Sequence, residues 1–322
     1  MRVVVIGGTG HTGTYLVPRL IDAGHEVALI SRNQRPRYGP DGPLGSAAWK
    51  RVQWVELDRI KSDASGGFGM QVAAMKADVV IDMICYQLAS AKQLVDALRG
   101  RIQLLIHCGT TWASGASLLV PSSEDEPSRP ICDYGRRKAE IEEYLLEEAR
   151  RAGFPVTVLR PGHMVGCGWV PVNPAANFNP QVFSDLVKVK NVCLPNLGME
   201  TLHHVHSDDV AQAFMQALAN WNGAVGQAFN VVSASALTLR GYAEAVAGWF
   251  GKPPKLSFLP WEEWKKTASE EDAAATWEHI RHSSCCSIEK ARRLLGYQPR
   301  YTSLDAIKES LTWLIQNGRV EV

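Results

Sequence analysis

The sequence shows no excess of charge of either sign. Its 322 residues include 34 Lys and Arg against 33 Asp and Glu, which leaves a formal net charge of +1. Proteins that bind nucleic acid or anionic lipid through charge carry basic patches, and no basic block stands out in this chain. We therefore expect no nucleic acid and no membrane surface among its partners.

Long apolar runs are missing as well. No stretch approaches the roughly 20 apolar residues that are needed to cross a bilayer. The apolar run at 3–6 is too short for a signal peptide and leads directly into glycines. We expect a cytoplasmic protein that folds from its first residue and has no membrane-spanning segment.

The cysteines lack the spacing of a disulfide framework or of a zinc site. There are seven of them, an odd number, and none forms a Cys-x-x-Cys pair. Cys285 and Cys286 are adjacent, which does not suit ordinary disulfide geometry. We expect reduced thiols, in a chain whose 46% hydrophobic content is enough for a large core without cross-links.

The first two thirds of the chain contain a regular alternation of short apolar runs and helical stretches. Because the runs are continuously apolar, both faces of each strand should be buried. Buried strands between layers of helices predict an α/β fold with a doubly wound parallel sheet. The predicted strands are 3–6, 27–30, 52–57, 79–84, 104–106, 156–159 and 228–232, and the predicted helices include 12–22, 89–98 and 135–151.

A glycine-rich turn separates the first predicted strand from the first predicted helix. Gly7, Gly10 and Gly13 form a GxxGxxG pattern, in which the first glycine permits a tight turn and the third allows close packing of helix on strand. The middle glycine lets the backbone approach a pyrophosphate at the helix N-terminus. The alternative is a structural turn without a ligand. The predicted dinucleotide-binding residues are Gly7, Thr9, Gly10, His11, Thr12 and Gly13.

The end of the second predicted strand bears on the choice of dinucleotide. A carboxylate there would bind the ribose 2′-hydroxyl of NAD and repel the 2′-phosphate of NADP, but this chain has Ser31 and Arg32. A guanidinium matches a phosphate in charge and geometry, so this pair favours NADP; the alternative is that Arg32 stacks on adenine. Asp58, at the end of the third strand, is predicted to contact the adenine amino group, or else to form a strand-end turn.

A Tyr-x-x-x-Lys pair supplies candidate catalytic groups. Tyr134 and Lys138 are four residues apart at the start of a predicted helix, and therefore share one face. An ammonium beside a phenol stabilises the phenolate and lowers the tyrosine pKa from about 10, which makes Tyr134 a candidate general acid/base. Thr110 follows the fifth predicted strand, at the sheet edge where ligands bind, and offers a second hydroxyl.

Together these motifs resemble those of the extended short-chain dehydrogenases/reductases, in the group of NAD-dependent epimerases and dehydratases. The resemblance covers nearly the whole chain. It is specific for the superfamily and much less specific for a substrate. Besides the motifs above, it rests on the segments 159–162 (LRPG), 206–211 (HSDDVA), 228–231 (AFNV) and 290–299 (KARRLLGYQP).

The resemblance implies a Rossmann-type fold and a role for each matched residue. Tyr134 would move the proton at the reacting carbon–oxygen bond, and Lys138 would tune Tyr134 and hold the nicotinamide ribose. Thr110 would orient the substrate oxygen while a hydride passes between the substrate carbon and the cofactor, NADP or NAD. The neighbours of the nicotinamide pocket would be Pro161, Gly162 and His163.

The chain divides into two parts on this basis. Residues 1–165, with about 204–233, are predicted to form the NAD(P)-binding Rossmann domain. Residues 166–203 and 234–322 are predicted to form a smaller C-terminal, α-rich lobe that binds a small-molecule substrate. A loop rich in proline and glycine is predicted at 33–46, and a homodimer through the helices at 89–98 and 135–151 is left open.

Three functions stay open at this stage. The first is an epimerase or dehydratase, which would transfer a hydride at a C–OH/C=O centre of a sugar or sugar-like substrate. The second is a net NADP-dependent reductase or dehydrogenase of a carbonyl compound. The third is a non-catalytic nucleotide-binding or regulatory protein, because 7–10 and 82–86 also resemble a branch that includes plastid RNA-associated proteins.

Two further segments bear on the substrate and on metal binding. No Arg stands in 198–204, where nucleotide-sugar enzymes of the family usually grip a diphosphate, and Arg281 is the alternative ligand. A strand would place His204 and His206 on one face, as in zinc-binding HxH pairs. The resemblance instead places them in an ordinary strand that leads into a helix, so no metal is expected.

Overall fold

The computed structural model describes residues 1–32 and 46–322, so the predicted loop at 33–46 lies outside the described residues except for its last position. The strands are β1 (Arg2–Ile6), β2 (Glu26–Ser31), β3 (Gln53–Glu56), β4 (Val79–Asp82), β5 (Leu104–Cys108), β6 (Val156–Pro161), β7 (His163–Val165), β8 (Val192–Pro195), β9 (Thr201–Leu202), β10 (His204–His206), β11 (Ala228–Val231), β12 (Leu237–Thr238) and β13 (Leu256–Leu259).

Helices follow most of these strands, and a 3-10 helix (Thr111–Ala113) follows β5. The α-helices are α1 (His11–Asp22), α2 (Ser46–Trp49), α3 (Arg59–Ala64), α4 (Phe68–Ala74), α5 (Leu88–Leu98), α6 (Asp133–Ala152), α7 (Gln181–Val187), α8 (Ser207–Ala219), α9 (Trp221–Ala224), α10 (Leu239–Trp249), α11 (Trp261–Trp264), α12 (Glu270–His282), α13 (Glu289–Leu295) and α14 (Ser303–Gln316).

The predicted doubly wound sheet is confirmed. Within the described residues, seven parallel strands are ordered β11-β6-β5-β4-β1-β2-β3. The chain winds outward in one direction through β2 and β3 and in the other through β4, β5, β6 and β11. The order therefore reverses between β1 and β4, and a ligand of such a sheet binds outside the carboxyl ends of the strands at that point.

The continuous apolar strands are buried on both faces, as their sequence predicts. In β1, Val3 and Val5 pack into one core with α1, α8 and α13. Val4 and Ile6 point to the opposite face and pack into a second core with α4, α5 and α6. Because alternate side chains of a strand point to opposite faces, one short run supplies both cores.

The apolar stripe of α6 belongs to this second core. Ile141 and Leu145 are completely or almost completely buried there, and Tyr144 and Ala149 pack against it. The stripe thus faces the sheet of its own domain, so it gives no support to the homodimer left open above.

The lobe has a third core of its own, formed mainly by α7, α10, α12 and α14 with β8 and β9. Part of the predicted lobe packs on the sheet domain: Ile288, Ala291, Leu295 and Tyr297 belong to the first core with α8. The hydroxyl of Tyr297 donates to the carbonyl oxygen of Val232 at 3.0 Å, which ties this segment to the end of β11. Because both parts of the chain are rich in α-helix, composition alone does not predict which core this segment joins.

Some further features are seen in the described part of the chain. None of its helices combines the length and the apolar character that crossing a membrane requires. Residues 1–32 and 46–322 contain no group of three or more His, Cys, Asp or Glu side chains that could hold a metal ion. All seven cysteines carry free thiols.

A buried ion pair joins α6 to β6. The guanidinium of Arg160 donates from Nε to the carboxylate of Glu142 at 2.9 Å and from Nη1 to Ser114 Oγ at 3.1 Å. The side chains of Arg160 and Glu142 are only 7% and 8% exposed. The pair therefore fixes α6 against the sheet and against the turn that follows the 3-10 helix.

We expect Glu142→Ala to lower the free energy of unfolding by about 3–5 kcal/mol, because the guanidinium of Arg160 would stay buried without its partner. Glu147→Ala is the matched control, since it breaks the exposed Arg151–Glu147 pair on the same helix. That control should cost no more than about 1 kcal/mol. Urea denaturation followed by circular dichroism measures both, and equal costs would contradict the role given to the buried pair.

Candidate functional site

A cleft of about 370 Å³ opens at the carboxyl ends of the sheet strands, where the strand order reverses. The glycine loop forms one side of the cleft, and Trp169 from the predicted lobe lies on another side. Its lining residues include Gly7, Thr9, Gly10, His11, Thr12, Gly13, Ser31, Arg32, Asp58, Ile84, Tyr86, Cys108, Met164 and Trp169.

The loop between β1 and α1 needs glycine at two positions for steric reasons. Gly7 has φ +83°, a conformation that L side chains rarely adopt. A Cβ at Gly13 would lie 2.0 Å from the carbonyl oxygen of Gly8, so α1 can pack on the loop only without a side chain there. Gly10 is different, because a Cβ there would meet only the Gly7 carbonyl oxygen at 4.0 Å. The protein fold does not demand glycine at 10, whereas a ligand close to the backbone would.

The N-terminus of α1 fits an anionic ligand. The N-cap of α1 is Gly10, so among the described residues no N-cap side chain hydrogen-bonds to the first turn. That turn also holds no acidic residue. The positive end of the helix dipole and the backbone of Gly10 and Gly13 therefore lie at the cleft. A pyrophosphate matches these groups, so the loop has the geometry of a dinucleotide site.

The residues predicted to contact the adenosine half also line the cleft. Ser31 is buried and Arg32 is exposed at the end of β2. The Oδ1 atom of Asp58 accepts hydrogen bonds from the backbone N–H groups of Ile60 at 3.0 Å and Lys61 at 3.3 Å. The turn-forming role of Asp58 is thus present in the structure as the N-cap of α3, and its contact with adenine stays a prediction.

The three catalytic candidates meet beside the cleft. Lys138 is 2% exposed, and its Nζ donates to the carbonyl oxygen of Cys108 at 2.8 Å. Tyr134 lies one turn earlier on α6, with its ring 42% exposed. Thr110 is buried at the end of β5, and its hydroxyl accepts from the backbone N–H of Trp112 at 3.3 Å. The hydroxyl of Thr110 also lies near the phenol of Tyr134 and acts to lower its pKa.

The pKa of Tyr134 does not shift in the direction that the sequence predicts. Burial raises the pKa of Tyr134 above its usual value, and the nearby hydroxyl of Thr110 only partly opposes the rise. Burial also lowers the pKa of Lys138. Both shifts favour the uncharged form, so Tyr134 holds its proton at neutral pH and the phenolate that the sequence predicts is not favoured.

The start of α6 packs unusually closely on the 3-10 helix. A Cβ at Gly135 would lie 2.6 Å from the carbonyl oxygen of Trp112, so the close approach requires glycine. The thiol of Cys132 caps the helix by accepting from the backbone N–H of Gly135 at 3.2 Å. These contacts hold Tyr134 next to the turn that carries Thr110.

The segment after β6 packs closely on the neighbouring strands. Pro161 is buried in β6, paired with Val231, and a Cβ at Gly162 would lie 2.4 Å from the carbonyl oxygen of His203. Gly162 therefore serves packing between strands, and the contact of both residues with the nicotinamide stays a prediction. His163 lies beside Trp112, with the two rings 6.0 Å apart.

Two features of the cleft wall escape sequence reasoning. The ring of Tyr86 lies 4.8 Å from Lys138 Nζ and is half-exposed in the cleft. Beneath it, Arg59 Nη1 donates to Asp82 Oδ1 at 2.6 Å in a buried ion pair. The sequence could have indicated this ion pair, because Asp82 and Arg59 lie at the carboxyl ends of two strands of one parallel sheet. Tyr86 belongs to no motif with a spacing rule.

Comparison with known proteins agrees with this geometry. The model of the NAD dependent epimerase/dehydratase family matches residues 3–231. The 2′-dehydrokanamycin reductase of Streptomyces kanamyceticus is 28% identical over 99% of this chain and 86% of its own length. The chloroplast stem-loop binding protein of 41 kDa b from Arabidopsis thaliana is 24% identical over 96% of this chain and 78% of its own. The fold is similar to that of UDP-glucuronic acid 4-epimerase from Bacillus cereus in complex with NAD, with TM-score 0.73 and 19% identity over 98% of this chain and 97% of that one.

Two glycine substitutions separate the packing role of the loop from its ligand role. Gly13→Ala should lower the melting temperature and weaken dinucleotide binding, because its Cβ collides with the backbone at Gly8. Gly10→Ala should leave the melting temperature nearly unchanged and weaken dinucleotide binding, because its Cβ has room in the fold but occupies the space of a close pyrophosphate. Thermal unfolding and calorimetric titration with NADPH and NADH test this; a Gly10→Ala protein with unchanged affinity for both would show that the loop does not hold the dinucleotide.

Proposed function

Because the chain belongs to the NAD-dependent epimerase/dehydratase family, we propose that it transfers a hydride at a C–OH/C=O centre of a sugar or sugar-like small molecule, with Tyr134 as the acid/base. The observation that carries this proposal is the meeting of Tyr134, Thr110 and Lys138 at the edge of a cleft built on a glycine loop. The relatives include reductases and epimerases of sugar-type substrates, which agrees with it.

The roles of the three residues follow from their contacts. When bound, the nicotinamide cofactor supplies or accepts the hydride. One N–H of Lys138 is used by the carbonyl of Cys108, which leaves two donors for the ribose hydroxyls. The hydroxyls of Thr110 and Tyr134 converge where a substrate oxygen would lie, so both can hydrogen-bond to it while Tyr134 gives or takes the proton. The glycine loop would hold the pyrophosphate, and Ser31, Arg32 and Asp58 the adenosine half.

Net NADP-dependent reduction is the second candidate, and a specific observation favours it. Burial raises the pKa of Tyr134, so the phenol is protonated at neutral pH and ready to donate to a carbonyl oxygen. Arg32 at the end of β2 favours NADP, the usual reductant, over NAD. One oxidised cofactor released for each product molecule identifies this reaction, whereas an epimerase or dehydratase returns the hydride to its substrate.

The non-catalytic alternative is weakened by the same geometry. A protein that had lost catalysis would have no need to keep the hydroxyls of Thr110 and Tyr134 close together beside a buried ammonium. Burying an ammonium costs free energy, and the hydrogen bond to the Cys108 carbonyl offsets that cost only in part.

Tyr134→Phe should reduce kcat by at least about a hundredfold, because it removes the proton that accompanies the hydride. The affinity for the cofactor should change little, since Lys138 and the glycine loop are untouched. Tyr144→Phe is the matched control on the same helix, where Tyr144 packs against the core away from the cleft. Steady-state kinetics with cofactor titration gives both quantities, and full activity in Tyr134→Phe would refute the assigned mechanism.

Arg32→Ala should weaken the binding of NADP more than tenfold and that of NAD much less, because only NADP carries the 2′-phosphate that a guanidinium pairs with. Arg151→Ala removes a surface arginine at the opposite end of α6 and should affect neither cofactor. Calorimetric titration of each variant with both cofactors measures the ratio. An equal loss for NADP and NAD would mean that Arg32 stacks on adenine instead.

A further inference from the structure

A continuous series of rings leads away from Tyr134 across the boundary between the two parts of the molecule. The ring of Trp112 lies 6.2 Å from that of Tyr134, and those of His163 and His279 lie 6.0 and 5.3 Å from Trp112. His279 is in turn 4.8 Å from His163 and 5.6 Å from Phe178. We call Trp112, His163, Phe178 and His279 the ring wall.

The ring wall is accessible at both ends. Tyr134, which adjoins the Trp112 end, is 42% exposed, and Phe178 at the other end is 47% exposed. Trp112 and His163 between them are half-buried, and His279 is buried behind them. One face of Trp112 stacks on His282, with the ring centres 4.2 Å apart, so only its other face can meet a ligand. A partly exposed aromatic ring beside a candidate catalytic hydroxyl is the arrangement expected of a surface that a ligand covers.

The imidazoles of the ring wall carry no charge at neutral pH. Burial lowers the pKa of His279 to about 4. Burial, and then the nearby imidazole of His279, lower the pKa of His163. The Nδ1–H of His279 donates to the carbonyl oxygen of Ala275 at 2.7 Å, which places a proton on Nδ1.

Arg281, two residues after His279 in the chain, is already paired with a carboxylate. Arg281, which was the alternative ligand for a diphosphate, is bound by the carboxylate of Glu278 through Nη2 at 2.6 and 2.7 Å and through Nε at 3.1 Å. The ring wall therefore offers a neutral, polarisable surface with hydroxyls at one end. Phosphate groups are recognised instead by unpaired guanidinium, ammonium or helix N-termini.

We propose that the substrate, given the hydride-transfer function argued above, is a saturated ring alcohol or ketone without a nucleoside diphosphate. One face of its ring packs on Trp112 and Phe178, and the reacting carbon–oxygen bond lies at Thr110 and Tyr134. The apolar C–H face of such a ring suits the aromatic faces, and its hydroxyls can hydrogen-bond to the neutral imidazole of His163. This proposal assigns Phe178 as a specificity-determining residue.

The test begins with binding. The protein is first saturated with NADPH and then titrated with UDP and with UDP-glucose in a calorimeter. We expect no binding of either up to millimolar concentration. A dissociation constant in the micromolar range for either nucleotide would overturn the proposal.

Turnover supplies the second half of the test. Three phosphate-free compounds serve as probes. Cyclohexanone is tested with NADPH, and myo-inositol and methyl α-D-glucopyranoside are tested with NADP. We expect turnover of at least one of them. Phe178→Ala should raise its KM about tenfold with little change in kcat, since the loss of one packed ring costs about 1.4 kcal/mol. Phe178→Tyr should restore the KM, and Trp277→Ala, an exposed ring stacked on Trp261, is the control that should not move it.

The outcomes separate this inference from the function on which it rests. Tyr134-dependent turnover of UDP-glucose would leave hydride transfer standing and refute the ring-alcohol substrate. No turnover of any phosphate-free probe by a protein that binds NADPH, or an unchanged KM in Phe178→Ala, would also count against the substrate class. Failure to bind NADPH and NADH alike would instead refute the proposed function itself.

Discussion

The hydrogen bond from the ammonium of Lys138 to the carbonyl oxygen of Cys108 is the contact on which the candidate site depends. It ties α6, which carries Tyr134, to the end of β5, where the chain continues into Thr110. A buried ammonium without this acceptor would be strongly unfavourable, so the contact fixes the helix position as well as the charge. The absence of a side chain at Gly135 permits the same approach from the backbone side. The contacts that position Lys138 and Tyr134 are therefore the same contacts that pack α6 on the sheet.

The burial that this packing creates also decides the electrostatics around the site. It raises the pKa of Tyr134 and lowers those of Lys138 and His279, so each of these shifts favours the neutral form. Arg59 and Asp82 beneath the cleft neutralise each other in a buried ion pair. A region of this kind favours a proton-donating phenol and a neutral substrate, whereas the N-terminus of α1 serves the anionic part of a dinucleotide.

The predicted lobe contributes residues to both the cleft and the ring wall. Trp169 from the lobe lines the cleft, and Phe178 and His279 extend the ring wall beyond the sheet domain. The family match ends at residue 231, so His279 lies in a part of the chain that the family pattern does not describe. This division has a physical basis: a dinucleotide-binding loop is limited to a narrow range of backbone geometries, while the lobe has only to fit its own substrate.

Sequence periodicity and short spacings were sufficient for the doubly wound sheet, for the glycine loop and for the shared helix face of Tyr134 and Lys138. These features are determined locally, because a strand of apolar residues, a turn and a helical repeat each depend on residues close in the chain. The ring wall was decided only by the tertiary structure, because its four residues come from four segments and no spacing relates them. The same holds for the direction of the Tyr134 pKa and for the packing role of Gly162. Both depend on how many atoms of distant segments surround a group, and that number is set only when the chain has folded.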